Sequence, residues 1–176
     1  MIRPLTLEEV KRHILNDTVR PHLSAEFRTT EGRCVWGLFE DQYAVAHSPN
    51  PDPLAVICVA YTNTAPRNET ELAWFSSASG TGAVDTTTAV FYTVWSYERG
   101  AGQAIVNTVA EHIKNTRPEV TRWVTLSPLT RMAERFHTKN GAQLVSIHDT
   151  CQIFEYTHLM LDTSPQTINS ITQMNT

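Results

Sequence analysis

The sequence predicts an α+β domain in three layers, an α/β arrangement with helices on both faces of a central sheet. Three observations carry this. From Thr88 onward the segments alternate strand, helix, strand, helix, strand, strand. Residues 54–62, "LAVICVAYT", are apolar enough for a strand covered on both faces. Apolar residues recur at helical spacing in three separate places.

Taken in order, Thr6 followed by Glu9 makes a capping box, and Leu7, Val10, Ile14 and Leu15 mark one helical face, so a helix is expected over 7–16. Pro21 limits its extension. Residues 33–39 and 42–47 read as two antiparallel strands joined around Glu40 and Asp41, and 54–62 as a third strand. Residues 63–87 are rich in Gly, Ser, Thr and Asn, which predicts a long functional loop or lid with one short helix around 72–75. Residues 88–97 are a β-branched and aromatic strand. Ile105, Val106, Val109 and Ile113 line one face of a helix that ends before Pro118. Residues 122–127 form the next strand. Leu129, Met132, Ala133 and Phe136 form a helical stripe closed by Asn140 and Gly141, and 142–147 with 151–158 make a final strand pair. One domain is expected over 1–161, followed by a polar tail, 162–176, with little to bury and an expectation of flexibility.

With 176 residues, 41% of them hydrophobic, the chain suits a single core. A net charge of −4 gives no broad basic footprint, so no nucleic-acid partner is expected. Cys34, Cys58 and Cys151 are odd in number, far apart and set in apolar runs. That suits buried thiols better than a disulfide or a metal framework, and it points to a cytoplasmic protein. The start, "MIRPLTLEEVKRH", lacks the apolar stretch of a signal peptide, and no window approaches the roughly 20 apolar residues that span a bilayer. A soluble chain with no membrane partner is expected.

Residues 96–109, "SYERGAGQAIVNTV", pass from a strand into a helix through two glycines and an arginine. Such a turn presents backbone N–H groups without intrahelical partners at the positive end of the helix dipole, which seats an anion. Gly100 and Gly102 let that anion come close. An ordinary strand-to-helix turn uses glycines equally well, and both readings stand on these residues. The type of anion site is narrower: there is no Gly-Lys-Ser/Thr, and Ile105 stands where a dinucleotide loop has its third glycine.

Arg99, Gly102 and Ala104 follow the spacing Arg-x-x-Gly-x-Ala, with Val94 five residues before the arginine. Residues 133–142, "AERFHTKNGA", supply Ala133, Phe136, Lys139 and Gly141. Through these two segments the sequence resembles the GCN5-related N-acetyltransferase superfamily over about 88–156. The resemblance implies a GNAT-like fold with a mixed central sheet, splayed between the strands at about 89–97 and 122–127 and flanked by helices. It implies acetyl-CoA, or another acyl-CoA, as cofactor. Backbone groups of Val94, Trp95 and Ser96 would pair with the pantetheine arm, and Arg99, Gly100, Ala101, Gly102, Gln103 and Ala104 would seat the pyrophosphate. The acceptor would be a small-molecule or protein amine. Two departures bear on the chemistry: His137 replaces the family's tyrosine acid, and Thr130 stands where asparagine is usual. His137 would then serve the thiolate, with Thr130 beside it. For the amine's base, Glu71, Asp85 and Glu98 are the acids at hand, and no spacing singles one out.

"VTLSPLT" and "FHTKNGA" are also similar to malonyl-CoA decarboxylase, a relative with the same acyltransferase fold, whose serine and histidine would fall on Ser127 and His137. Ser127 before Pro128 is equally a good helix N-cap. In that case His137 lies ten residues along, about 15 Å away at about 1.5 Å per residue. The pair requires instead that the helix begin near Thr130. Three functions follow: N-acetyl transfer to a primary amine as the leading one, malonyl-CoA decarboxylation, and a CoA-binding module without catalysis.

Overall fold

The structure, a computed structural model, describes residues 1–40 and 51–159. Its strands are β1 (Ile2–Pro4), β2 (Arg33–Leu38), β3 (Ala55–Thr62), β4 (Thr88–Ser96), β5 (Arg122–Thr125), β6 (Ser127–Pro128), β7 (Gln143–Ile147) and β8 (Cys151–Glu155). They form one sheet in the order β1-β2-β3-β4-β5-β8-β6, with β7 on the other side of β8. β4 and β5 run parallel, and the other recorded pairs are antiparallel. The α-helices are α1 (Leu7–His13), α2 (Ala25–Thr29), α3 (Glu69–Gly80), α4 (Ala101–Thr116) and α5 (Arg131–Lys139).

Every residue of β3 is buried, as its unbroken apolar run predicts. Side chains alternate across a strand, so Ala55, Ile57, Val59 and Tyr61 pack with α4 through Ile105, Val106, Val109 and Ile113. Val56, Cys58 and Ala60 pack on the opposite face with Val10, Ala25 and Leu72 of α1, α2 and α3. The three layers follow directly from that alternation.

The early helix forms with its capping box, Glu9 N donating to Thr6 Oγ1 and Thr6 N to Glu9 Oε2, although its last turn tightens into a 3₁₀ segment, Ile14–Asn16. The two short elements β1 and α2 carry too few residues for a pattern to show. Residues 63–87 are not a long loop. Asn68 caps α3 by accepting from Glu71 N at 2.8 Å, and the helix runs to Gly80 with Leu72 and Ser76 buried. Its Ser and Gly content reflects close packing: a Cβ on Gly80 would sit 2.5 Å from the Glu31 carbonyl oxygen. The strand expected at 42–47 and the tail at 162–176 lie outside the described residues; β2 takes β1 and β3 as its neighbours. Cys58 and Cys151 are buried and Cys34 half-buried, all three unbridged. Among the described residues no helix is long and apolar enough to cross a membrane.

Between α1 and α2 the chain is held by a buried ion pair. Arg28 Nη2 donates to Asp17 Oδ2 at 2.8 Å, and Asp17 Oδ1 accepts from Val19 N and Arg20 N. Arg28 also donates to the carbonyls of Arg20 and Leu23. Removing one partner strands the other charge in the core, which costs about 3–5 kcal/mol. Urea unfolding of Arg28→Met is expected to show a loss of that order with the transition still cooperative.

Candidate active site

β4 and β5 pair from Thr88↔Arg122 to Phe91↔Thr125, and the last bond is Leu126 N to Phe91 O at 3.1 Å. β4 then runs on to Ser96 while the other strand turns away to pair as β6 with β8. The separation begins at a β-bulge: Cys58 faces Thr93 and Val59 faces Phe91, so Tyr92 is an extra residue on β4. A bulge bends its strand and increases the local twist, which re-aims β4 away from β5. The gap opens into a cleft of about 600 Å³. Phe91, Tyr92, Thr93, Val94 and Ser96 form one wall, and Leu126, Ser127 and Pro128 the other.

At the top of β4 the glycine turn takes the form expected of an anion seat. Gly100 is the N-cap of α4 at φ +83°, a left-handed conformation that other residues rarely adopt. It offers no side chain, and the first intrahelical bond runs from Ala104 N to Gly100 O at 3.1 Å. The N–H groups of Gly102 and Gln103 precede that bond, at the positive end of a 16-residue helix. Gly102 lines the cleft, and a Cβ there would lie 3.3 Å from the Phe136 ring and 3.4 Å from Ser96 Cβ. Arg99 is exposed and makes no hydrogen bond or ion pair to another described residue. Val94 and Ser96 line the cleft. Trp95 points to the other face, where its Nε1 donates to the Tyr97 hydroxyl. Ala101 is buried in the first turn of α4, whereas Gln103 and Ala104 are exposed.

The helix that bears His137 begins at Thr130, not at Ser127. Thr130 Oγ1 accepts from Ala133 N at 3.2 Å, while Ser127 and Pro128 are extended and pair with Gln152 and Cys151. The N-cap reading of Ser127 is thereby corrected: Gln152 Nε2 donates to the carbonyls of both Pro128 and Thr130 and ties the turn ahead of α5 to β8. Ser127 and His137 consequently line the same cleft, as does Thr130. They do not hydrogen-bond to each other. Ser127 Oγ donates to Thr125 Oγ1 at 2.7 Å, and His137 Nδ1 lies 2.8 Å from the Tyr156 hydroxyl. His137 is buried, stacked on Phe154 and edge-on to Phe136, and burial lowers its pKa to about 4. Burial also raises the Tyr156 pKa, so its O–H stays protonated and can donate to Nδ1 in the tautomer that carries the ring proton on Nε2.

The apolar stripe of α5 serves the cleft more than the core. Met132 is 77% exposed and Leu129, ahead of the helix, 48%, while Met132, Ala133 and Phe136 line the opening. The candidate bases do not reach it. Glu71 is paired with Arg67 at 2.5 Å, and Asp85 and Glu98 are exposed and outside the lining. Sequence reasoning missed the contribution of the segment between α1 and α2, where Thr18, Val19 and Arg20 close one side. It also missed Tyr156, whose pairing with His137 depends on β8 lying beside α5. A second cavity of about 360 Å³ shares Arg20 and Leu126 with the cleft and is otherwise lined by Asn68, Glu69, Thr70, Thr150 and Cys151.

No protein-family model matches the chain, and no curated protein does. Solved structures do. The GphF GNAT-like decarboxylase, in complex with isobutyryl-CoA, superposes with a TM-score of 0.65 at 13% identity over 88% of this chain and 97% of that one. Arabidopsis thaliana NAA60 in complex with acetyl-CoA gives 0.57 at 13% identity over 89% and 97%. Malonyl-CoA decarboxylase from Agrobacterium vitis gives 0.57 at 22% identity over 85% of this chain, which spans only 38% of that enzyme. Against the enzyme from Cupriavidus metallidurans the chain spans 33% of the length. The chain thus has the GNAT-like fold expected from its two motif segments.

His137 makes the stability of the fold depend on pH. Its folded pKa of about 4 lies below the reference value of about 6.5, so the unfolded chain takes up a proton that the native state refuses. The stabilisation is complete above about pH 6.5 and is lost as the pH falls toward 4, by about 3 kcal/mol. Ring resonances of His137 followed by NMR should show no protonation above about pH 5. Denaturation of His137→Gln should lack this part of the pH dependence.

Proposed function

We propose that the cleft binds an acyl-CoA and that the chain removes a carboxylate from a malonyl-type thioester, with His137 and Ser127 as the catalytic residues. The observation that carries this reading is one apolar cleft holding a buried serine and a neutral histidine, with no carboxylate among the described residues that line it. The residues fit the substrate. N–H groups of Gly102 and Gln103 with the Arg99 guanidinium suit a pyrophosphate, and the open edge of β4 along Val94, Trp95 and Ser96 offers backbone partners to an amide-bearing arm. The likeness to a GNAT-like decarboxylase supports the same assignment.

In the reaction the bond from the α-carbon to the carboxylate breaks, carbon dioxide leaves, and the bonding pair passes into the thioester as an enolate. A carboxylate that enters an apolar cleft loses its water, which favours dispersal of its charge. His137, neutral at pH 7 with its proton on Nε2, donates a hydrogen bond to the enolate oxygen. Ser127 adds a second by rotating its hydroxyl away from Thr125. A proton from solvent then closes the α-carbon. Thr130, whose Oγ1 already caps α5, positions that helix.

Acetyl transfer to an amine is the second reading. The specific observation in its favour is the cavity beyond Arg20 and Leu126, which offers a separate approach with Glu69 on its wall. A small molecule or a protein amine would enter there.

Carbon dioxide release from malonyl-CoA separates the two. His137→Gln is expected to lower kcat about 100-fold with CoA affinity kept, the effect of removing a positioned donor. Malonyl-CoA left intact while acetyl-CoA labels an amine would select transfer, and CoA binding without either product would leave a binding module. Gly102→Val should weaken CoA at least about tenfold in calorimetry, because the added carbons crowd Phe136 and Ser96 at the seat. Unchanged affinity would reject the seat itself.

A further inference from the structure

Where β4 and β5 part, two carbonyl oxygens, those of Tyr92 and Leu126, face a gap that no strand among the described residues fills. Both accept from one side chain: Arg20 donates through Nη1 to Tyr92 O and through Nη2 to Leu126 O at 2.8 Å. Its Nε donates to Glu69 Oε1 at 2.9 Å, which ties the same group to the first turn of α3. Arg20 is 4% exposed. Its own backbone cannot drift, since Arg20 N donates to Asp17 Oδ1 and Arg20 O accepts from Arg28, the two members of the buried pair. A guanidinium is a planar fork whose donors keep a fixed spacing. Bonded to both strands at once, it transfers that spacing to the gap.

We propose that Arg20 is a positioning residue that sets the width of the fork between β4 and β5. Through that width it seats the thioester arm against His137 and Ser127. The second half of this statement rests on the reading of the cleft as an acyl-CoA site; the first does not. Arg20 touches neither reacting group. It acts by fixing the spacing of Tyr92 and Leu126, and with Leu126 it lines both the cleft and the second cavity. A lysine would keep the positive charge and lose the function, because one nitrogen cannot reproduce two fixed, diverging bonds.

The test uses Arg20→Met, Arg20→Lys and, as a control for general destabilisation, Val10→Ala, a fully buried α1 site outside the cleft. Hydrogen exchange of the ligand-free proteins reads the fork without any CoA. In both Arg20 variants those amides of residues 93–97 that bond to β3, among them Tyr97 N–H on the Leu54 carbonyl, should exchange at least tenfold faster than in wild type, and in Val10→Ala they should not. Calorimetry should show CoA at least tenfold weaker in both Arg20 variants and unchanged in the control. Arg20→Lys alone serves if Arg20→Met does not fold. Wild-type exchange in the Arg20 variants overturns the proposal, as does full recovery of exchange and affinity by lysine, or an equal change in Val10→Ala. If wild type itself fails to bind CoA while the Arg20 variants still exchange faster, the acyl-CoA reading falls and the fork-setting role stands.

Discussion

Two parallel strands that stop pairing partway must find other partners for their backbone groups, and that constraint organises this molecule. Pairing between β4 and β5 ends at Phe91 and Thr125. An unsatisfied buried carbonyl costs as much as a lost hydrogen bond, so an open fork persists only where something else is bonded to it. The guanidinium of Arg20 meets that need at Tyr92 and Leu126. Around it the extra residue at Tyr92 bends one strand, Gln152 ties the continuation of the other to β8, and the Asp17–Arg28 pair fixes the turn from which Arg20 reaches in. The cleft is therefore a product of hydrogen-bond accounting across four distant parts of the chain.

That distribution explains which parts were legible in the sequence. β3, the α4 stripe and the strand–turn–helix at Gly100 announce themselves because their determinants are adjacent in the chain: apolar runs, 3.6-residue spacing, glycine punctuation. His137 and Ser127 were visible through local motif segments. Arg20 was not, since nothing around it distinguishes an arginine that bridges two strands from one that faces solvent. The partners lie 72 and 106 residues away. The full length of α3, of which only 72–75 was expected as helix, was missed for another reason: serine and glycine ordinarily signal a loop, whereas here Ser76 donates back to the Leu72 carbonyl and Gly80 permits contact with the Glu31 backbone. The N-cap of α5 turned on a choice between Ser127 and Thr130 that propensity alone leaves balanced, and pairing of Ser127 with β8 decided it.

Electrostatics follow from the same burial. The cleft takes its polarity from groups that are neutral at pH 7, a low-pKa imidazole, a tyrosine O–H behind it and a serine hydroxyl, while its cation is shared out among Glu69 and two carbonyls. Positive charge outside the lining is offered by the exposed Arg99 and by the dipole at the N-terminal end of α4. A phosphate-bearing ligand would thus be gripped at its charged end and handled at its reactive end by dipoles alone, an arrangement suited to chemistry in which charge is redistributed within the ligand.

The last hairpin carries a different consequence. Among the described residues β7 is an edge strand without lysine, arginine, proline or acid, and it exposes Leu144, Val145 and Ile147. Its register on β8 shifts between Leu144 and Ser146, so Val145 stands out of the ladder. Such an interruption is one of the few devices that stop a greasy margin from templating a neighbour. Deleting Val145 would remove that interruption and leave a flatter border along Leu144, Ser146 and Ile147.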